Sequence, residues 1–189
     1  MRRKTALFGG TFDPFHVGHY LIAIAAREMF SLDQVIFLPC SQSPLKSASP
    51  IASDRARLSW LRAGLKGEGW AKVSSWEVDR QGPSYSVEAA RHWNALEPKG
   101  ELYWILGSDQ WSTLPRWKNY EELGGLVKFL VFPRPEIAQP LACMKMKSIP
   151  LRFDISATDI RGRLQRGLSV KGLVLPSVEK CLRRSKVYR

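Results

Sequence analysis

Two histidines, three glycines and a threonine fall within eleven consecutive residues, Gly9-Gly10-Thr11-Phe12-Asp13-Pro14-Phe15-His16-Val17-Gly18-His19. Glycines let ligand oxygens approach the backbone, and histidines three apart at a helix start can face one ligand. The first N–H groups of such a helix and the positive end of its dipole favour an anion. The chemistry this set fits is phosphate binding. A zinc pair would want HExxH and a third ligand, and neither is present; the only other histidine is His92. There is also no GxGxxG and no GxxxxGK followed by Ser or Thr, so a nicotinamide dehydrogenase or a P-loop enzyme loses support.

A turn of this kind must be held between a strand and a helix. Residues 5–8 read as a buried strand, and Leu21, Ile22, Ala25, Ala26, Met29 and Phe30 repeat as one helix face. Apolar runs at 35–38, 102–106 and 129–132 suit further strands, with helices expected over 53–65 and 84–96. The alternation predicts an α/β fold, a Rossmann-like parallel sheet flanked by helices on both faces through right-handed crossovers. One domain is expected over 1–189, with a small C-terminal helical part from about 154. There Ser156 is the expected N-cap, Gly167 the stop, and a last helix starts at Pro176 or Ser177 and runs to about Arg184. Residues 41–53 read as a mobile loop and 133–150 as irregular. Ligands of such sheets lie beyond the carboxyl ends of the strands, where these polar loops collect.

With 189 residues and 44% hydrophobic content the chain can bury one sizeable core. No run of roughly 20 apolar residues is present, so no membrane span is expected. The basic start Met1-Arg2-Arg3-Lys4 is followed by too short an apolar stretch for a signal peptide. Cys40, Cys143 and Cys181 lie far apart without CxxC spacing, which speaks against a disulfide framework or zinc and for a reducing cytoplasm. The formal charge is +12, and residues 151–189 hold ten Lys or Arg against Asp154, Asp159 and Glu179. A nucleic acid, a small substrate with several phosphates, or a merely basic surface would each account for it.

The turn GGTFDPFHVGH resembles the first signature of the nucleotidyltransferase α/β-phosphodiesterase superfamily, and Ile155-Ser156-Ala157-Thr158-Asp159-Ile160-Arg161 resembles its second. Between them lie PCSQSPLK ending at Lys46, RQGPSYS at Arg80 to Ser86, LGSDQW at Leu106 to Trp111 and LPRWKNYEEL ending at Leu123. With Val187 and Tyr188 near the end, these are similar to the bacterial nicotinate-mononucleotide adenylyltransferases over nearly the whole chain. Departures are Leu45 where a histidine often precedes the lysine, Ser86 and Ala89 for threonines, and Ala157 for a serine.

The resemblance implies that ATP and nicotinate mononucleotide are joined to give nicotinate adenine dinucleotide and pyrophosphate, a step of NAD biosynthesis. It implies His16, His19 and Arg161 as catalytic residues. Gly9, Gly10, Thr11, Phe12, Gly18, Gly107, Asp109, Ser156 and Thr158 would bind ATP. Lys46, Tyr85, Ser86, Trp117 and Arg134 would bind the mononucleotide, with Trp117 stacking on the pyridine and Trp111 structural. Magnesium would accompany ATP with no protein ligand to a metal. Neither nucleic acid nor membrane is an expected partner, and a homo-oligomer is compatible with the sequence. Nicotinamide mononucleotide or pantetheine phosphate as acceptor, and a basic nucleic-acid-binding module, are the alternatives.

Overall fold

The computed structural model describes residues 2–45, 49–80, 82–134, 138–142 and 144–188. The chain alternates β1 (Lys4–Gly10), α1 (Val17–Phe30), β2 (Gln34–Pro39), α2 (Asp54–Gly64), β3 (Ala71–Val73), α3 (Ser86–Leu96) and β4 (Glu101–Gly107). It continues through α4 (Ser108–Ser112), a 3-10 turn (Leu114–Arg116), α5 (Tyr120–Leu126), β5 (Lys128–Phe132), β6 (Met146–Ser148), α6 (Ala157–Gln165) and α7 (Pro176–Ser185). The strands form one sheet in the order β3-β2-β1-β4-β5-β6, and every neighbouring pair is parallel. This is the Rossmann order, with the change of direction between β1 and β4, where a crevice opens at the carboxyl ends.

Successive strand residues point to opposite faces, and both faces are buried. Ala6, Phe8, Val35, Phe37, Tyr103, Ile105, Leu130 and Phe132 enter one hydrophobic cluster, which α1, α2, α6 and α7 cover. Leu7, Ile36, Leu38, Leu102, Trp104, Leu106, Phe129 and Val131 enter the other, under α3, α4 and α5. Ile160, Val178, Leu182 and Tyr188 belong to the first cluster, so the C-terminal helices share a core with β1 and β2.

Two strands are absent from the sequence-based expectation. β3 and β6 are three residues long, stand at the two edges and leave side chains partly exposed, so neither carries an apolar run. Main-chain bonds place them: Val35 N–H donates to Trp70 O at 2.9 Å and Ile149 N–H to Val131 O at 2.8 Å. β6 lies inside the stretch expected to be irregular. β1 also runs two residues past the apolar run, pairing Gly9 with Leu38 and Gly10 with Pro39.

Helix ends follow local chemistry. Ser53 Oγ accepts from Ala56 N–H and caps α2; Ser156 Oγ accepts from Asp159 N–H at 3.1 Å and caps α6. Gly64 closes α2 where it packs against α7 in the same layer: a Cβ there would lie 2.9 Å from the Phe15 ring and 3.0 Å from Val178 Cγ2. Gly64→Ala should therefore destabilise by about 1–3 kcal/mol despite its better helix propensity, because overpacking outweighs it. Urea denaturation at constant m-value would measure the loss; a more stable variant would show that α7 has room to move.

Candidate active site

His16 precedes α1 as its N-cap, and His19 is the third residue of the helix. His19 N–H donates to His16 Nδ1 at 3.4 Å, and His16 N–H donates to His19 Nδ1 at 3.3 Å. This is the reciprocal arrangement of a capping box with imidazoles in place of hydroxyl and carboxyl. Both Nδ1 atoms act as acceptors, so each neutral ring carries its proton on Nε2, a tautomer assigned from the hydrogen bonds. The rings stack with centroids 3.6 Å apart. His19 lies over Phe12, Phe15 and Phe8, whose edges and faces fix it from below.

This arrangement narrows the expectation that open N–H groups of α1 make the anion site. Val17 N–H donates to Leu173 O at 3.0 Å and His19 N–H is spent on His16, so protein acceptors take those donors. To the remaining donors of the terminus the His16 ring adds its Nε2–H. His16 is 3% exposed, and its Nε2 has no hydrogen-bond partner among the described residues. Its pKa is lowered to about 3, first by burial and then by the positive charge of Arg134. Gly18 does not line the cleft; a Cβ there would lie 3.1 Å from the His16 ring, so its bareness lets the ring close down.

The cleft has a volume of about 670 Å³ and opens at the switch between β1 and β4. It brings together Gly9, Gly10, Thr11 and Phe12 from the end of β1, His16 and His19 from α1, and Gly107 and Asp109 from the end of β4. Arg134 follows β5, Ser156, Thr158 and Arg161 come from α6, and Tyr85, Ser86 and Trp117 line the same space. Lys46 lies outside the described residues, as does Cys143; Cys40 Sγ lies 3.8 Å from Thr11 Oγ1, and neither Cys40 nor Cys181 is in a disulfide among the described residues. Phe12 is 1% exposed and its ring sits in the aromatic cluster, so this residue offers the cleft its backbone. Gly107 is the N-cap of α4, and the Asp109 carboxylate lies where a Cβ of residue 107 would be.

Arg161 spans two elements. Its Nη1 donates to Asp13 O at 2.7 Å and its Nη2 to Thr158 Oγ1 at 3.1 Å, which fixes the guanidinium between α6 and the turn. Ser108 Oγ accepts from Arg134 N–H at 2.6 Å and donates to Arg134 O at 3.1 Å, joining the ends of β4 and β5. Trp117 follows the 3-10 turn, with Nε1 donating to Thr113 Oγ1 at 3.4 Å. Tyr85 is the N-cap residue of α3 with no side-chain cap bond, and Lys118 Nζ lies 4.1 Å from its ring centre. Trp111 is 1% exposed and donates to Gln139 O at 2.6 Å, a packing position.

Three residues around the cleft escaped the sequence reading. Arg57 is fully buried and donates to Thr11 O at 2.6 Å and Cys40 O at 2.7 Å, tying the ends of β1 and β2. Its signal was a charge inside the apolar stripe of α2, beside Leu58 and four before Leu61. Asp13 is 4% exposed, and its carboxylate accepts from the N–H groups of Ile51 and Ala52 and from the Tyr188 hydroxyl. Glu77 is buried at the cleft wall. Burial raises its carboxyl to about 7, against the opposing hydrogen bond of Ser84 and charge of Arg80. Only its place between Trp76 and Val78 hinted at burial.

Comparison with known proteins agrees with this geometry. Residues 7–163 match the family described as cytidylyltransferase-like. A protein of Methylacidiphilum infernorum named "probable nicotinate-nucleotide adenylyltransferase" is 39% identical over 187 residues, 98% of this chain and 92% of that one. One of Opitutus terrae with the same name is 37% identical over 193 residues, 98% of each chain. The fold matches the Plasmodium falciparum nicotinic acid mononucleotide adenylyltransferase complexed with NaAD at a TM-score of 0.79 and 16% identity, over 99% of this chain and 98% of that one. The chain thus belongs to the cytidylyltransferase-like family and, within it, to the nicotinate-nucleotide adenylyltransferases.

Proposed function

We propose that the cleft holds ATP and nicotinate mononucleotide together and transfers the adenylyl group from the first to the second. A mononucleotide phosphate oxygen bonds to the α-phosphorus of ATP as the bond to the bridging oxygen of the β-phosphate breaks; pyrophosphate leaves with that electron pair. The nucleophile is already an anion, so no serine, cysteine or general base is required. Holding the reactants in line supplies on the order of 7–11 kcal/mol, and fixed donors stabilise the charge that moves.

The observation that carries this reading is the reciprocal cap of His16 and His19. It consumes both Nδ1 atoms, which makes Nε2–H the donor of each ring, that of His16 without a partner among the described residues. These donors serve the α- and β-phosphate oxygens, with the backbone of Gly9, Gly10, Thr11 and Phe12 beside them and Gly18 making room for the His16 ring. Arg161, Ser156 and Thr158 take the leaving pyrophosphate. Asp109 accepts from the adenosine ribose hydroxyls, for which Gly107 leaves space.

Tyr85, Ser86 and Trp117 hold the nicotinate. The first N–H groups of α3 suit its carboxylate and Trp117 suits the ring face. Lys46 and Arg134 serve phosphates, Arg134 from the side where its charge already acts on His16. Among the described residues no three His, Cys, Asp or Glu are grouped to hold a metal. Magnesium on this reading enters as the partner of the ATP phosphates, which suits its preference for phosphate and water oxygens. No described helix is long and apolar enough to cross a membrane, and work in the cytoplasm on small phosphorylated substrates, as one nucleotidyltransferase domain, fits the basic cleft.

Pyrophosphate release with ATP tests the reading directly. Turnover should be more efficient with nicotinate mononucleotide than with nicotinamide mononucleotide or pantetheine phosphate by more than about tenfold. A preference for another acceptor would leave the family and remove the substrate. Trp117→Ala should raise KM for the mononucleotide about tenfold and leave KM for ATP nearly unchanged; equal rises would argue against stacking.

The protonation of His16 gives a separate check. With a folded pKa near 3 the ring is neutral throughout the working range, and its donor is the neutral Nε2–H. His16→Asn should therefore lower kcat by the same factor at every pH from about 5 to 8. An acidic limb with its midpoint near 6.5 that disappears in the variant would mean that His16 works as the imidazolium.

A further inference from the structure

The last described residue of the chain is wired into the site. Tyr188 is 4% exposed, its ring packs 5.6 Å from that of Trp60, and its hydroxyl donates to Asp13 Oδ1 across 175 positions of sequence. Burial and the adjacent carboxylate both push the phenol pKa upward, so the hydroxyl keeps its proton and remains a donor. The same Asp13 carboxylate accepts from Ile51 N–H at 2.8 Å and Ala52 N–H at 3.1 Å, where the chain returns from the loop after β2 to α2. Ser49, Pro50 and Ile51 line the cleft just before that anchor. The carbonyl of Asp13 holds Arg161 Nη1.

One buried residue thus collects three otherwise separate pieces: the root of the loop after β2, the guanidinium of α6 and the chain's C-terminal turn. We infer that Tyr188 is a positioning residue, its hydroxyl holding the Asp13 carboxylate so that the loop root and Arg161 keep their places on the cleft. A plain packing role would need the ring and Trp60 alone. The hydroxyl does something different, because a buried carboxylate holding fewer donors turns more freely, and both the Ile51–Ala52 backbone and the Asp13 carbonyl turn with it.

Tyr188→Phe keeps the ring and removes only that donor. Amide exchange at Ile51 and Ala52 in the substrate-free protein should speed up about tenfold. The kinetic arm rests on the adenylyl-transfer reading: kcat/KM should fall about tenfold, split between kcat, through Arg161, and KM for the mononucleotide, through the loop root. Val178→Ala loosens α7 without touching the hydroxyl; it should lower Tm and leave both the local exchange and kcat/KM as in wild type. Adding Tyr188→Phe to Asp13→Asn should cost far less than in wild type, since both act on one hydrogen bond. Unchanged exchange at Ile51 and Ala52 in Tyr188→Phe overturns the proposal, as does an equal kinetic loss in Val178→Ala. Should wild-type protein fail to use nicotinate mononucleotide, the adenylyl-transfer reading falls, while the exchange measurement still decides the role of Tyr188.

Discussion

Two backbone carbonyls in the turn that leaves β1, those of Thr11 and Asp13, each end on a guanidinium. Arg57 reaches the first from α2, and Arg161 reaches the second from α6. A buried carbonyl without a partner costs about as much as a lost hydrogen bond, so a turn that commits its own helix donors elsewhere must import partners from outside. The shape of the cleft depends on that constraint. Arg57 also holds Cys40 O, so one side chain ties the turn to the end of β2.

Charge is divided along the same lines. The permanent cations Arg134 and Arg161 line the space, while the buried His16 inside it is held without a charge. A buried imidazolium beside Arg134 would pay both desolvation and repulsion. The neutral tautomer avoids both and still donates. Glu77 shows the converse on another wall, where burial holds a carboxyl toward its neutral form even with Arg80 nearby. The net charge of +12 is thus a background field that favours anions, and the reciprocal cap fixes the direction of the two imidazoles.

Much of the fold was legible because its central strands are buried on both faces and read as unbroken apolar runs. Strands at 5–8, 35–38, 102–106 and 129–132 and both C-terminal helices stand within a few residues of their expected bounds. The edge strands Ala71–Val73 and Met146–Ser148 were not legible, since three half-exposed residues leave no periodic mark. The cleft lining was equally accessible through the two signature motifs and the loops between them. Its internal wiring was not. Spacing His16 and His19 three apart announced a shared ligand, yet the same spacing also makes N-cap and third helix position, and it is the reciprocal cap that sets which nitrogen faces outward.

By itself the sequence determined the parallel sheet, the strand-to-helix turn at its switch point and the set of side chains able to meet phosphates. These follow from local patterns, from hydrophobic period and from residue types carried within one turn. Only the tertiary structure decided that Leu173 takes an α1 donor, that Arg57 sits fully buried under the turn, and that Tyr188 donates to Asp13. Each of those joins residues tens to hundreds of positions apart, and such partners are chosen by which buried groups must be satisfied once the helices have packed, a condition no local stretch of sequence contains.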